Sequence, residues 1–509
     1  MSDAAQASGA FRPLSVRDWI GLFAMFIGLF MAVLDIQIVA SSLGEIGAGL
    51  SATIEETAWI QASYLTAEVI VIPLTAWLTR ALSTRLLFTI SIGLFTFTSL
   101  LCGLAWNLES MIVFRVLQGL TGGSLIPLAF STIYMIFPPE RRAGMIVILA
   151  LVANVAPTVG PTFGGWLTQL LSWQWLFYIN LLPGALVTLV AWVTVDIDRP
   201  NYALLRQIDI LGVILIAMFL GPLVYILEEG PREDWFNSST ISVVAIISLI
   251  SGILLVWREL SAEHPVVDIR AFRDRNFLIG CTLSFTFGIA LYGSIYLLPV
   301  ILSTVRGFNS LQIGLVMMVI GAFQFISGPI AGQLEKRMDQ RLMLALGLSL
   351  YATGFWLFSN GTAETGFAQL FWPQMFHGMA IVILFLPITA IALGTLPPGE
   401  IQNASGLYNL MRNLGGAIGL AAINTIIGGR YDLHRDRLAE TITTARIPVS
   451  EAVTAAGEGG VEALANLKIL LQLVEREARV MTYNDVWLVM CATIASGFLL
   501  IPLVRKVAR

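Results

Sequence analysis

The chain has 509 residues, 57% of them hydrophobic and 12% charged, with a mean hydropathy of +0.81 and a formal net charge of -4. Soluble domains carry about a quarter charged residues, so half that supply excludes an ordinary soluble or disordered protein. The near-balanced charge gives no basis for a nucleic-acid partner, and the three cysteines, far apart in apolar stretches, read as packing residues rather than disulfide or metal ligands.

Apolar runs long enough to cross a bilayer recur along the whole chain. Met1–Pro13 is polar and small, and the run behind it continues as a full span, so no cleaved leader is expected. The runs predict helices over 18–40, 54–78, 86–106, 108–136, 143–170, 175–197, 208–228, 239–257, 276–303, 310–333, 341–360, 366–395, 401–429 and 483–504. The expected fold class is an all-α polytopic membrane protein with 14 transmembrane helices. Basic residues then alternate in side. With the N-terminus inside, most of the 29 Lys and Arg residues fall on the cytoplasmic face, while the short outer loops hold Arg232 and Arg306 among many acids. That distribution predicts both termini in the cytoplasm.

A few charges do not sit at span ends. Asp35 lies in the outer half of the first span and Arg115 at comparable depth in the fourth, so an ion pair is geometrically open to them, either permanent or broken when the acid takes a proton. Glu68 lies about 16 Å from the outer end of the second span, near mid-membrane. Charges at depth cost at least about 2.5–3.5 kcal/mol each and survive mainly where they pair or line a watery path. Such an acid suits binding and release of a proton; a structural acid bonded to a neighbouring helix is the other reading. Arg412 and His377 also fall near the middle of their spans, Arg412 as cavity lining or countercharge to Glu68, and His377 more simply as a packing histidine. Gln37, Gln61, Tyr64, Asn154, Tyr292, Tyr296 and Tyr408, with Trp59, Phe323 and Trp372, are candidate lining for a cavity that takes a hydrophobic or cationic guest.

In the fifth span, Pro157 and Pro161 remove hydrogen bonds and bend the helix, while Gly160, Gly164 and Gly165 let a neighbouring backbone come close. Gly415, Gly416 and Gly419 with Asn413 repeat the device later in the chain. The stretch from Pro73 through Arg85 matches Pro329 through Arg341 at an offset of 256, and Pro138-Pro139, Asn154, Gly160 match Pro397-Pro398, Asn413, Gly419 at an offset of 259. A duplicated six-helix unit follows, with 1–200 and 261–509 as the two bundles and 201–260 as two extra spans between them. The stretch 430–482 falls outside the membrane, and 461–478 has apolar residues at helical spacing.

At motif level the chain resembles the fourteen-helix drug:proton antiporters of the major facilitator superfamily, EmrB/QacA type, and most closely the EmrB branch. Ala32-Val-Leu-Asp-Ile-Gln-Ile-Val39, Trp59-Ile-Gln-Ala-Ser-Tyr64, Arg115-Val-Leu-Gln-Gly-Leu-Thr-Gly-Gly123 and Ala156-Pro-Thr-Val-Gly-Pro-Thr-Phe-Gly-Gly165 carry the likeness. One departure is the loop after the second span, where Arg80 stands at the usual acidic position and Ser83 at a glycine, so the family's charge latch is absent or rebuilt. The resemblance implies a major facilitator fold of two six-helix bundles plus two extra helices in the inner (plasma) membrane. It implies export of small hydrophobic or amphipathic compounds in exchange for protons, with Asp35, Glu68 and Arg115 in proton coupling and the fifth-span motif in gating. No cofactor is expected beyond the proton gradient, and no enzyme activity, since phosphate loops, zinc-spaced ligands and nucleophile elbows are missing. A periplasmic membrane-fusion adaptor and an outer-membrane channel are the implied partners, with 430–482 as the expected contact. A small-solute importer and a non-transporting scaffold or sensor are the competing readings.

Overall fold

The computed structural model of the chain describes residues 15–262, 265–308, 310–397, 399–441 and 461–505, and the side chains of a few helical residues, Asn154 among them, lie outside that described set. Among the described residues the backbone is helical with no strand. In the hydrocarbon core this is the expected solution, because a helix satisfies its own backbone polar groups.

Seventeen α-helices follow one another among the described residues. They are α1 (Val16–Ala40), α2 (Leu43–Leu50), α3 (Ile54–Leu82), α4 (Thr84–Gly103), α5 (Leu108–Gly122), α6 (Leu125–Ile136), α7 (Pro139–Leu170), α8 (Trp175–Tyr178) and α9 (Leu181–Thr194). After them come α10 (Ile210–Glu229), α11 (Ser239–Ser261), α12 (Arg275–Arg306), α13 (Ser310–Arg337), α14 (Gln340–Phe358), α15 (Phe367–Leu393), α16 (Ile401–Thr441) and α17 (Val461–Ser496). Among the described residues thirteen spans are long and apolar enough to cross a membrane, and α7 supplies a fourteenth when its two halves, Gly144–Pro157 and Val159–Leu170, are taken as one helix bent by 41°. The bend sits at the two prolines, which cannot donate into the helical ladder.

Helix starts are written locally. Ser15 and Asp18 cap α1 reciprocally, as do Thr53 and Glu56 at α3, so the orphan amides at those water-facing ends find partners. Between α3 and α4 the chain reverses through Ser83 alone, at φ 77°. The loop whose latch the sequence left open is tied down here: the Thr84 amide and hydroxyl donate to Asp198 at 2.7 and 3.0 Å, and the Arg85 guanidinium stacks 5.5 Å from the Trp192 ring.

Packing sorts the helices into two groups. α1 lies along α7 and α9, and α3 along α5; in the later part α12 lies along α16, and α15 along α13 and α14. The groups meet at two seams, α7 against α13 and α3 against α16. Between them Phe130 of α6 packs on Phe385 and Tyr408 at ring distances of 5.9 and 6.3 Å. α15 is the most enclosed span, with 83% of its apolar window buried, and α11 the least, with 17%. One expected boundary moves: α16 runs on from 429 to Thr441, because Arg430 and His434 reach Asp485 of α17 and hold the extra turns.

Candidate functional site

The first group encloses a charged network that no water-facing residue shares. Asp35 and Arg115 are each fully buried, and Arg115 Nη1 donates to Asp35 Oδ2 at 2.6 Å, the contact that their depths allowed. Asp35 Oδ1 also accepts from Asn180 Nδ2 at 2.8 Å and Gln118 Nε2 at 3.2 Å. Gln118 Oε1 takes a second bond from Arg115 Nη1 at 2.7 Å, and both Gln118 Nε2 and Asn180 Nδ2 donate to Ser99 Oγ. Arg115 Nε donates to the Ile60 carbonyl at 3.1 Å, and its guanidinium lies 4.2 Å from the Tyr64 ring centre. Five helical segments, α1, α3, α4, α5 and the turn before α9, therefore converge on one ion pair. Buried charges persist only when geometry and extra hydrogen bonds offset their desolvation, and this pair has both. Ser99 and Asn180 were not among the expected residues; a short polar side chain inside an apolar span was the only signal for either.

Glu68 is treated differently. It is 3% exposed, and among the described residues no hydrogen bond or ion pair holds its carboxyl. It sits on α3 at the α3–α16 seam, within Coulombic reach of Arg412 and, more weakly, Arg115. Arg412 is 5% exposed and donates through Nη2 to Asn409 at 2.8 Å; its guanidinium rests 5.7 Å from the Phe130 ring and 5.8 Å from Phe385, and its Nε finds no partner. Among the described residues neither Glu68 nor Arg412 has an ion-pair partner, and the acid and the base lie within Coulombic reach of each other on opposite sides of the line where the two helix groups meet.

The proposed cavity set scatters. Gln61 Nε2 reaches the Ile36 carbonyl at 3.4 Å while its Oε1 stays buried without a partner. Tyr64 lies enclosed beneath Arg115, its hydroxyl unpaired. Tyr292 donates to Asn413 at 3.1 Å, and Tyr408 and Thr389 share a hydrogen bond of 3.0 Å. Tyr296 is 37% exposed and donates to Asn424, Trp372 is at the surface, and Trp59 stacks on Tyr225, which sets all three apart from the seam acid. His377 is buried with Nε2 between the Ser294 and Tyr351 hydroxyls, 3.2 and 3.0 Å away. Asn154 lies outside the described side chains.

The small residues of α7 do face neighbours closely. A Cβ on Gly160 would meet Gln37 Cβ at 2.5 Å, and one on Gly164 would meet Ser41 Oγ at 2.7 Å, so Gln37 is pressed between α1 and α7. Gly416 and Gly419 touch Tyr292 and Ile289 of α12 in the same manner. These contacts require hydrogen in place of a side chain.

Comparisons with known proteins agree with this architecture. The model of the Major Facilitator Superfamily matches residues 25–420. The colistin resistance protein EmrB of Acinetobacter baumannii is 40% identical over 84% of this chain and 83% of its own length. The multidrug export protein EmrB of Haemophilus influenzae is 33% identical over 84% of each. The solved structure of the human organic anion transporter MFSD10 superposes with a TM-score of 0.56 at 13% identity, covering 95% of this chain and all of that one, which bears on the fold. With many apolar spans, a matched family model and relatives aligned along most of their length, the chain belongs to the major facilitator superfamily as a multi-pass transporter of its EmrB-like branch.

Proposed function

We propose that the protein exports small hydrophobic or amphipathic compounds from the inner membrane in exchange for protons, by alternating access. The observation that carries this reading is Glu68: an acid buried at the α3–α16 seam with no bonded partner and Arg412 within Coulombic reach. Adding a proton there removes one member of an attractive pair spanning the two groups, so protonation changes how strongly the seam is held. A cationic or amphipathic guest competes for the same acid, and that competition makes exchange obligatory.

Asp35 and Arg115 play the supporting part. Their network fixes α1, α4 and α5 relative to one another, and it responds to a proton only if the ion pair opens. The bent α7 and its glycines serve as the gate. In this reading 1–200 and 261–509 move as bundles, 201–260 inserts between them, and both termini are cytoplasmic. The names of the EmrB relatives, multidrug export and colistin resistance, point to the compound class. A membrane-fusion adaptor and an outer-membrane channel complete the assembly, with the outer ends of α16 and α17 as the contact.

The test is purified protein in liposomes under an imposed pH gradient, with lipophilic cations added while internal pH is followed. Compound-driven proton movement that disappears in Glu68→Gln is the expected result. Movement that is unchanged in both Glu68→Gln and Asp35→Asn, or export with no proton movement at all, overturns the reading.

A further inference from the structure

The two seams differ in chemistry and in what covers them. The α3–α16 seam holds Glu68 and Arg412. The membrane-depth stretches of α7 and α13, from 144 to 170 and from 312 to 334, contain no Asp, Glu, Lys or Arg. α10 lies against both α3 and α16. Tyr225 of α10 stacks on Trp59 of α3 at 5.3 Å. A Cβ on Gly221 would face Ile70 and Thr66, on the side of α3 turned away from Glu68, at 3.7 and 3.8 Å. Just beyond α10, the Trp235 indole nitrogen donates to Thr425 Oγ1 of α16 at 3.0 Å. α11 backs α10 on the far side: the Ser248 hydroxyl donates to the Phe219 carbonyl at 3.0 Å, and α11's outer residues, such as Ile246, Ile250 and Ile253, stand exposed. On the other seam, Gly314 presses on Thr162 and Gly328 on Leu151, while Met318, Phe325 and Ile326 of α13 stand open beside it.

We propose that the inserted pair α10–α11 is a wall that keeps lipid off the outer side of the α3–α16 seam, leaving the α7–α13 seam as the lateral way in for compounds dissolved in the membrane. The wall matches the chemistry. A charge meeting hydrocarbon is costly, so the seam that carries charge is shielded, and the apolar seam has no such need. The ring stack and the indole bond pin α10 to one helix of each group, so it bridges the seam instead of belonging to either side. The clause about entry rests on the exporter reading; the wall itself does not.

The test reads access without transport, so it fails separately from that reading. Ile70 and Leu151 are both half-buried, Ile70 beneath Gly221 of α10 and Leu151 against Gly328 of α13. Each is replaced by cysteine (Ile70→Cys, Leu151→Cys) over a Cys491→Ala background, with Phe325→Cys as the open control, and the proteins are labelled in lipid vesicles with a membrane-dissolved maleimide. Leu151→Cys should react at least about 10-fold faster than Ile70→Cys, with the pH dependence of each rate followed so that access is separated from thiolate fraction. Adding Gly221→Phe, which pushes α10 away from Thr66 and Ile70, should speed labelling of Ile70→Cys toward the Leu151→Cys rate. Equal rates at the two positions in the intact protein, whether both fast or both slow, overturn the proposal. So does an Ile70→Cys rate that Gly221→Phe leaves unmoved.

Discussion

Gly119 and Gly378 stand 259 residues apart and make the same contact. A Cβ on Gly119 would strike the Tyr64 carbonyl oxygen and then Ala67; one on Gly378 would strike the Ile320 carbonyl oxygen and then Phe323, each partner displaced by 256. Around these matched glycines the chemistry diverges. Where the first group has Asp35, Arg115 and Gln118, the second has Ser294, Gln374 and His377 at the same offset of 259. The Asp35–Gln118 bond has its counterpart in the Ser294–His377 contact, and Glu68 has its counterpart in Gln324, 256 residues on. At these matched positions the steric fit is the same on both sides while charge stands on one. Backbone contact tolerates little change, whereas a buried ion pair can be exchanged for neutral groups of similar size at small cost in stability. In the proposed exchange that charge has a use beyond holding the fold.

The sharpest way to break that comparison is Arg115→Gln, which copies Gln374 into the first group. It leaves Asp35 buried without a countercharge and should cost about 3–5 kcal/mol of stability, with export lost. Thermal unfolding in detergent measures it. The double variant Asp35→Ser with Arg115→Gln should recover stability to within about 1.5 kcal/mol of the parent while export stays lost. A double variant no more stable than Arg115→Gln would show that the two networks are not interchangeable.

Gly119→Ala and Gly378→Ala should then destabilise by similar amounts, about 1–3 kcal/mol each, because both added methyls meet a backbone carbonyl that cannot swing aside. Unequal costs would mean the matched contacts bear unequal load. His377→Phe is expected to cost less, about 1 kcal/mol, since it removes two neutral hydrogen bonds but keeps the ring against Tyr351 and Phe355. Export should persist, in contrast to every change at Asp35.

The smallest effect belongs to the outer surface. There the Arg476 guanidinium, with Arg306, holds the Glu364 carboxyl below its ordinary range. A depressed carboxylate stabilises above its unfolded pKa and loses that contribution as pH falls through the folded one, so the clasp should loosen only below the ordinary glutamate range. Glu364 is fully exposed, so the change should register as lower local hydrogen-exchange protection around Arg476, each rate taken relative to the intrinsic rate at the same pH, with no shift in global unfolding. Protection that is identical on the two sides of the carboxyl's titration would mean the clasp does not order that turn.

Span number and order were legible because crossing hydrocarbon imposes a run length that few other structures need. The Asp35–Arg115 contact was legible for a similar reason: two opposite charges at one depth have little else to meet. Ser99, Asn180 and the neutral set around His377 were not, because short polar residues are common in apolar helices and nothing in one sequence gives their direction around the axis. The course of α16 past 429 was missed because its last turns are held by Arg430 and His434 reaching back to Asp485, a long-range contact that hydropathy does not register. Nor did composition separate lipid-facing residues from packed ones, so the position of α10 over the seam had no signal at all.

The one-residue reversal at Ser83, with Thr84 strapped to Asp198, leaves no slack between α3 and α4. Glu68 rides on the first of these helices and Ser99, which steadies the ion pair, on the second. In the proposed exchange a tilt begun at the acid is handed on to the pair as through a stiff crank, and lengthening that joint by a few flexible residues should uncouple the two while leaving each in place.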